Sequence, residues 1–180
     1  MRTELRLAGE GGQGLMTAAI IFAQAAAEHT DLNAIQTQSY GPESRGGSSK
    51  ADVIIADEDI DYPEVDRPHF VVVMAQEACD KFVPTVAKGG TVIVDSTHVK
   101  FVPEVDARVV KYPISEKAVE LGREIVANIV ALGLLTGLSR VVPEDAVRKA
   151  LLSRIPKGTE ELNKKAFHAG LEASEGVSLT

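Results

Sequence analysis

Two short segments of this chain carry residue types that could do chemistry. The first is Gly9-Glu10-Gly11-Gly12-Gln13-Gly14. A G-x-G-x-x-G string between a strand and a helix lets a phosphate approach the N–H groups at the helix's positive end. The second is Gln38-Ser39-Tyr40-Gly41-Pro42-Glu43-Ser44-Arg45-Gly46-Gly47, with three glycines, one proline and one arginine in ten residues. Glycine opens backbone conformations closed to other residues, and proline fixes φ and removes a donor. The segment is therefore a shaped loop, neither helix nor strand interior. Arg45 can grip a phosphate or a carboxylate through two parallel hydrogen bonds. Tyr40 offers a packed ring with a polar tip.

The other reactive side chains make no constellation. His29, His69, His98 and His168 are dispersed, without metal-ligand spacing. Cys79 is the single cysteine. An intrachain disulfide, an iron–sulfur cluster or a thiolate zinc site cannot be built from one thiol. It reads as a small buried residue on a helix.

The elements that must position these loops follow from periodicity. Leu5 and Leu7 alternate with Glu4 and Arg6, a strand running into the first glycine turn. Leu15 to Glu28 is rich in Ala, Ile, Leu and Met and reads as a helix. Strands are expected over 33–39, 51–56, 70–75, 91–95 and 107–112. Phe70-Val71-Val72-Val73-Met74-Ala75 is apolar throughout, as a strand covered on both faces should be. A helix is expected over 76–87, ending at Gly89-Gly90.

Beyond residue 112 the chain reads as helical. Ser115 is a candidate N-cap, with Ala118, Leu121, Ile125, Ile129 and Leu132 at the spacing of one long helix. Asn128 on that helix is expected to cap a loop or strand end through its side chain. Pro143 opens another helix, and 159–174 forms a third. The expected organisation is one domain over 1–174 with a flexible tail over 175–180.

Strands alternating with helices imply an α/β, Rossmann-like layered fold, with a helical C-terminal part. The connection over residues 40–50 is too short for a crossover helix of about a dozen residues. The third strand should therefore run antiparallel to the second, in a mostly parallel, partly mixed sheet.

Composition narrows the function classes. Hydrophobic residues make up 44%, aromatics 4%, and tryptophan is absent, so the core is aliphatic. The formal net charge of −7 argues against nucleic acid as the main partner. No signal-peptide core or apolar run of about 20 residues is present, so no membrane insertion is expected and the cytoplasm is the default location. A nicotinamide enzyme should carry an acid at the end of the second strand, but that strand ends Gln36-Thr37-Gln38-Ser39 and Asp31 precedes it. Three readings of the first glycine loop stay open: a tight turn for helix–sheet packing, an anion site, and a partner surface.

Taken together, the two loops resemble the gamma subunit of 2-oxoacid:ferredoxin oxidoreductases. The similarity continues through Ala51-Asp52-Val53-Ile54-Ile55, Gly89-Gly90-Thr91-Val92-Ile93-Val94-Asp95-Ser96, Ala127-Asn128-Ile129-Val130-Ala131-Leu132-Gly133 and Asn163-Lys164-Lys165-Ala166-Phe167-His168-Ala169-Gly170. The resemblance implies a multi-subunit enzyme that oxidatively decarboxylates a 2-oxoacid with coenzyme A. The products are acyl-CoA, carbon dioxide and reduced ferredoxin or flavodoxin. It implies thiamine diphosphate and Mg between alpha and beta subunits, and iron–sulfur clusters in other subunits, a ferredoxin-like delta chain among them. This chain then has no catalytic residue of its own. Gly11, Gly12, Gln13, Gly14, Ser39, Tyr40, Gly41, Arg45, Gly46 and Gly47 become the cofactor-binding or subunit-interface set. A free-standing chain without a fused ferredoxin segment suits the 2-oxoglutarate type. Pyruvate, branched-chain and indolepyruvate types are the alternatives, and a stand-alone nucleotide-binding protein is the alternative of another class.

Overall fold

A computed structural model describes residues 1–11, 13–40 and 47–178. Its strands are β1 (Arg2–Glu10), β2 (Asn33–Tyr40), β3 (Ser48–Ala56), β4 (Phe70–Val73), β5 (Thr91–Asp95) and β6 (Arg108–Tyr112). Its helices are α1 (Leu15–His29), α2 (Gln76–Phe82), α3 (Ile114–Glu120), α4 (Ala127–Ser139), α5 (Glu144–Arg154) and α6 (Glu160–Ser178). Short 3₁₀ turns occupy Val83–Thr85 and Glu124–Val126.

The strands form one sheet in the order β2-β3-β1-β4-β5-β6. β1, β4, β5 and β6 are mutually parallel, and β3 is antiparallel to both β1 and β2. The expected mixed sheet is therefore present, with β3 as its reversed strand. Alternation along β1 sorts its side chains between two cores. Leu5 and Leu7 join the aliphatic core beneath α1 and α4, while Ala8 joins a smaller core beneath α2. With both faces covered, Val71, Val72, Val73, Val92, Ile93 and Val94 have no exposed surface.

On the thinner face Arg6 is an ion buried with its partners. Its Nε and Nη2 donate to Asp52 at 2.8 and 3.1 Å, Nη2 also to the Val65 carbonyl at 2.8 Å, and Nη1 to Thr85 Oγ1 at 3.1 Å. Lys50 Nζ adds a 2.7 Å contact to Asp52. The network joins β1, β3, the segment before β4 and the turn after α2.

On the thicker face α4 is buried on every side from Ala127 to Thr136. It packs on the sheet and on α1, and α6 closes over it. Gly133 and Gly170 bring these two helices together. A Cβ at Gly133 would lie 2.3 Å from the Phe167 carbonyl oxygen, and one at Gly170 2.2 Å from that of Val130.

The helical readings need four corrections. The helix expected over 76–87 ends at Phe82, where the chain tightens into the 3₁₀ turn Val83–Thr85 and Pro84 has no N–H to continue the α-helical ladder. The long helix expected from Ser115 is broken at Gly122, whose φ of 122° lies outside the helical region. The break turns Ile125, expected on the buried stripe, to 70% exposure. Ser115 is not an N-cap: the helix starts at Ile114 behind Pro113, and the Ser115 hydroxyl donates to the fully buried Asp95 at 2.6 Å. Finally, α6 continues through Ser178, so the backbone just after Ser174 is helical where a tail was expected.

Candidate functional site at the glycine turn

The two strands next to the first glycine turn send their helices to opposite faces: β1 leads to α1 over the thicker core, and β4 to α2 over the thinner one. In α/β sheets such a reversal opens a crevice at the carboxyl ends of the strands, where ligands bind. Here that crevice lies between Glu10 and Met74.

Gln13 fills its mouth. Its Oε1 accepts from the Glu10 N–H at 2.8 Å, and its Nε2 donates to the Met74 carbonyl at 3.0 Å. One side-chain amide thus satisfies a donor at the end of β1 and an acceptor at the end of β4. Gly9 leaves room for it, since a Cβ there would lie 2.2 Å from Gln13 Oε1. Gly14 caps α1 in the left-handed region at φ 74°. Its carbonyl accepts from Asn128 Nδ2 at 3.1 Å, which pins the turn to α4. Gly11 is exposed, with open space where a side chain would be. Gly12 lies outside the described residues.

Removing that pin tests it. Asn128→Ala should destabilise the protein by about 1 kcal/mol, because the half-buried Gly14 carbonyl loses one of its two donors and keeps only the Ala18 N–H of α1. Asn128→Asp should be worse, since a carboxylate offers that carbonyl no donor. Urea midpoints of the two variants would rank them, and equal midpoints to the parent would remove Asn128 as a brace.

The crevice beyond Gln13 is acidic. Glu10, Glu77, Glu124 and His98 line it, with no lysine or arginine among its lining residues. His98 Nε2 lies 3.6 Å from Glu124. Polar clamps hold the rest of the rim. Gln76 Oε1 accepts from the N–H groups of Lys100 and Phe101 at 2.8 and 3.1 Å, and its Nε2 donates to the Phe101 carbonyl at 2.7 Å. Asp95 Oδ1 accepts from the N–H groups of Thr97 and Ser115. Sequence reasoning missed the rim roles of Glu10, Asp95 and Glu124. An acid closing an apolar strand, as Asp95 closes β5, was the available signal.

The second loop rises from the same edge of the sheet, two strands away. Ser39 and Tyr40 end β2, exposed, and Gly47 stands at the foot of β3. Tyr40 pairs with Ser49, whose hydroxyl donates to the Gly9 carbonyl at 3.4 Å. Gly41, Arg45 and Gly46 lie outside the described residues. The structure thus brings Gly11, Gln13, Gly14 and Asn128 into one cluster, with Ser39, Tyr40 and Gly47 on the same rim across β3.

Cys79 has no exposed surface. Burial, with the nearby Asp80 charge, pushes its thiol up to about 11, against a weak opposing pull from Lys111. It should resist a thiol reagent at pH 8 until the protein unfolds. The raised value also fixes a sign. Folding holds this proton more tightly, so the Cys79 contribution is constant below about pH 9 and is lost as pH rises from there towards 11. Titration of a Cys79→Ala variant beside the parent checks it.

Among the described residues no group of three or more His, Cys, Asp or Glu could hold a metal, and no helix is long and apolar enough to cross a membrane. A partly mixed sheet with a glycine turn at its reversal point, filled by the chain's own glutamine, defines a Rossmann-like α/β domain. A sequence model of the pyruvate ferredoxin/flavodoxin oxidoreductase family matches residues 4–173, and the chain belongs to that family. It is 47% identical to 2-oxoglutarate synthase subunit KorC of Methanocaldococcus jannaschii, over 97% of this chain and 95% of that one. It is 35% identical to ketoisovalerate oxidoreductase subunit VorA of Methanothermobacter marburgensis, over 93% of this chain but 36% of that longer one. Among solved structures it is similar to a keto/oxoacid ferredoxin oxidoreductase gamma subunit from Geobacter sulfurreducens PCA. There the TM-score is 0.89 at 43% identity, covering 97% of this chain and 99% of that one.

Proposed function

We propose that this chain is the gamma subunit of a 2-oxoglutarate:acceptor oxidoreductase and does no chemistry alone. The carrying observation is the 47% identity to a 2-oxoglutarate synthase subunit along nearly the full length of both chains. The complex oxidatively decarboxylates 2-oxoglutarate with coenzyme A and passes electrons to ferredoxin or flavodoxin in the cytoplasm. Alpha and beta subunits hold thiamine diphosphate and Mg, and other subunits the clusters.

The residues described here do not fit those groups. One buried cysteine cannot ligate a cluster. The crevice at the glycine turn is plugged by Gln13 and lined by carboxylates, which repel the phosphates of coenzyme A or a dinucleotide. The glycine turn therefore serves as a partner surface. Arg45 offers a bidentate contact to a coenzyme A phosphate or a partner carboxylate.

Purifying the native complex and assaying a panel of 2-oxoacids tests the assignment. Turnover is expected with 2-oxoglutarate, and preference for pyruvate or a branched-chain acid would overturn the substrate. Arg45→Ala divides the two roles of the second loop. Intact assembly with a raised KM for coenzyme A assigns Arg45 to the ligand; lost assembly assigns it to the partner.

A further inference from the structure

The two edges of the sheet are treated differently. β6 is five residues long, carries Arg108 and Lys111, and has the Arg108 guanidinium tied to the Val177 carbonyl of α6. β2 is eight residues long, Asn-Ala-Ile-Gln-Thr-Gln-Ser-Tyr, with no charge and no proline. Its register with β3 runs unbroken from Asn33–Ala56 to Tyr40–Ser49, so no bulge twists it away. Among the described residues β3 is its sole strand neighbour. Edge strands are ordinarily protected from pairing by charges, prolines, bulges or short length. β6 has such protection; among the described residues β2 has only the Gln36 amide, whose Nε2 donates to the Thr37 carbonyl at 3.3 Å and can turn to an incoming strand instead.

We propose that β2 is a self-association edge, through which two copies of this chain pair antiparallel about a two-fold axis at Thr37. Such an axis, perpendicular to the sheet, keeps each face continuous and pairs one residue with its own copy. Centred on Thr37, it sets Gln36 opposite Gln38, Ile35 opposite Ser39 and Ala34 opposite Tyr40 of the second copy. Thr–Thr and amide–amide pairs are favourable across antiparallel strands, and no like charges meet.

The volumes also match. Tyr40 is 71% exposed and the largest side chain on the strand, its hydroxyl donating to Gln38 Oε1 at 3.5 Å. Ala34 is small and borders an open groove lined by Leu32, Ile35, Asp59 and Ile60. Ala34 packs on the core beneath α1, and strand alternation puts Tyr40 on that same face. The pairing therefore lays the ring of each Tyr40 beside the groove of the other copy, twice per dimer. The second copy is favoured over a foreign strand because the aromatic ring and the groove that receives it lie at opposite ends of one strand.

This inference goes beyond the 2-oxoacid assignment and does not depend on it, so each can fail alone. Its test is sedimentation of the purified chain. The parent is expected to be a dimer. Thr37→Lys, at an exposed position, sets like charges face to face and should raise the dimer dissociation constant about tenfold or more. Thr37→Glu should do the same, and mixing the two variants should restore the dimer. Tyr40→Ala should weaken it without changing the circular dichroism. Thr37→Cys should cross-link two copies on oxidation, because buried Cys79 cannot. A monomeric parent overturns the proposal, as does a dimer indifferent to Thr37→Lys. So does a Thr37→Lys chain that instead loses a different subunit, which would give the edge to a foreign strand.

Discussion

Replacing Arg6 or Asp52 singly with alanine is expected to destabilise the protein by about 3–5 kcal/mol. The side chains of both are more than nine-tenths buried. Removing either leaves the other charged and away from water, where desolvation far exceeds the loss of one contact. Removing Asp52 takes two of the four guanidinium bonds, leaves Nε unpaired with only Val65 and Thr85 still accepting, and leaves Lys50 without its carboxylate. For a chain of this length the loss corresponds to a melting temperature lower by roughly 6–20 °C. Replacing both ions together with Met and Leu should cost far less than the sum, because no orphaned charge remains. Thermal unfolding of the four proteins completes the cycle, and additive losses would show that the pair is not coupled.

Gly170→Ala and Gly176→Ala should move stability in opposite directions, although both lie on α6. At Gly170 a methyl group would sit 2.2 Å from the Val130 carbonyl oxygen and 2.8 Å from the Gly133 Cα. The obstruction is backbone, so no rotamer change relieves it and α4 and α6 must separate. Overpacking of that kind costs about 3 kcal/mol, or about 6–12 °C in melting temperature. At Gly176 nothing lies within 4 Å and the backbone is helical. Alanine there should stabilise by about 0.5–1 kcal/mol through its helix preference. Gly133→Ala should resemble Gly170→Ala. Equal effects at 170 and 176 would mean that the helices are not in close contact.

Much of this fold was legible because its strands are short apolar runs between turns. The reversal of β3 followed from a connection too short for a crossover helix. What sequence could not show was where regular spacing stops being one helix. Ala118, Leu121, Ile125 and Ile129 keep a helical period across Gly122, yet one glycine at positive φ breaks the run and exposes Ile125. Periodicity reports the preferences of side chains, whereas the break is a backbone event. The site was legible to the same limited degree. A missing acid at the end of the second strand argued against a dinucleotide, but the plug was not visible. Gln13 sits at an "x" of the glycine motif, and only the fold brings it to the Met74 carbonyl sixty-one residues away.

The clamped rim has a kinetic consequence. Gln13, Gln76, Asp95 and Asn128 each fix their part of it by bonds within the chain, so it is ordered before any other subunit arrives. If the rim is the partner surface proposed above, docking there needs little rearrangement, and the rotational freedom of these side chains has already been given up in folding. Its rate is then set by encounter and orientation, with the crevice carboxylates drawing in a basic face at low ionic strength. Loosening one clamp would slow assembly while leaving the contacts of the finished complex in place.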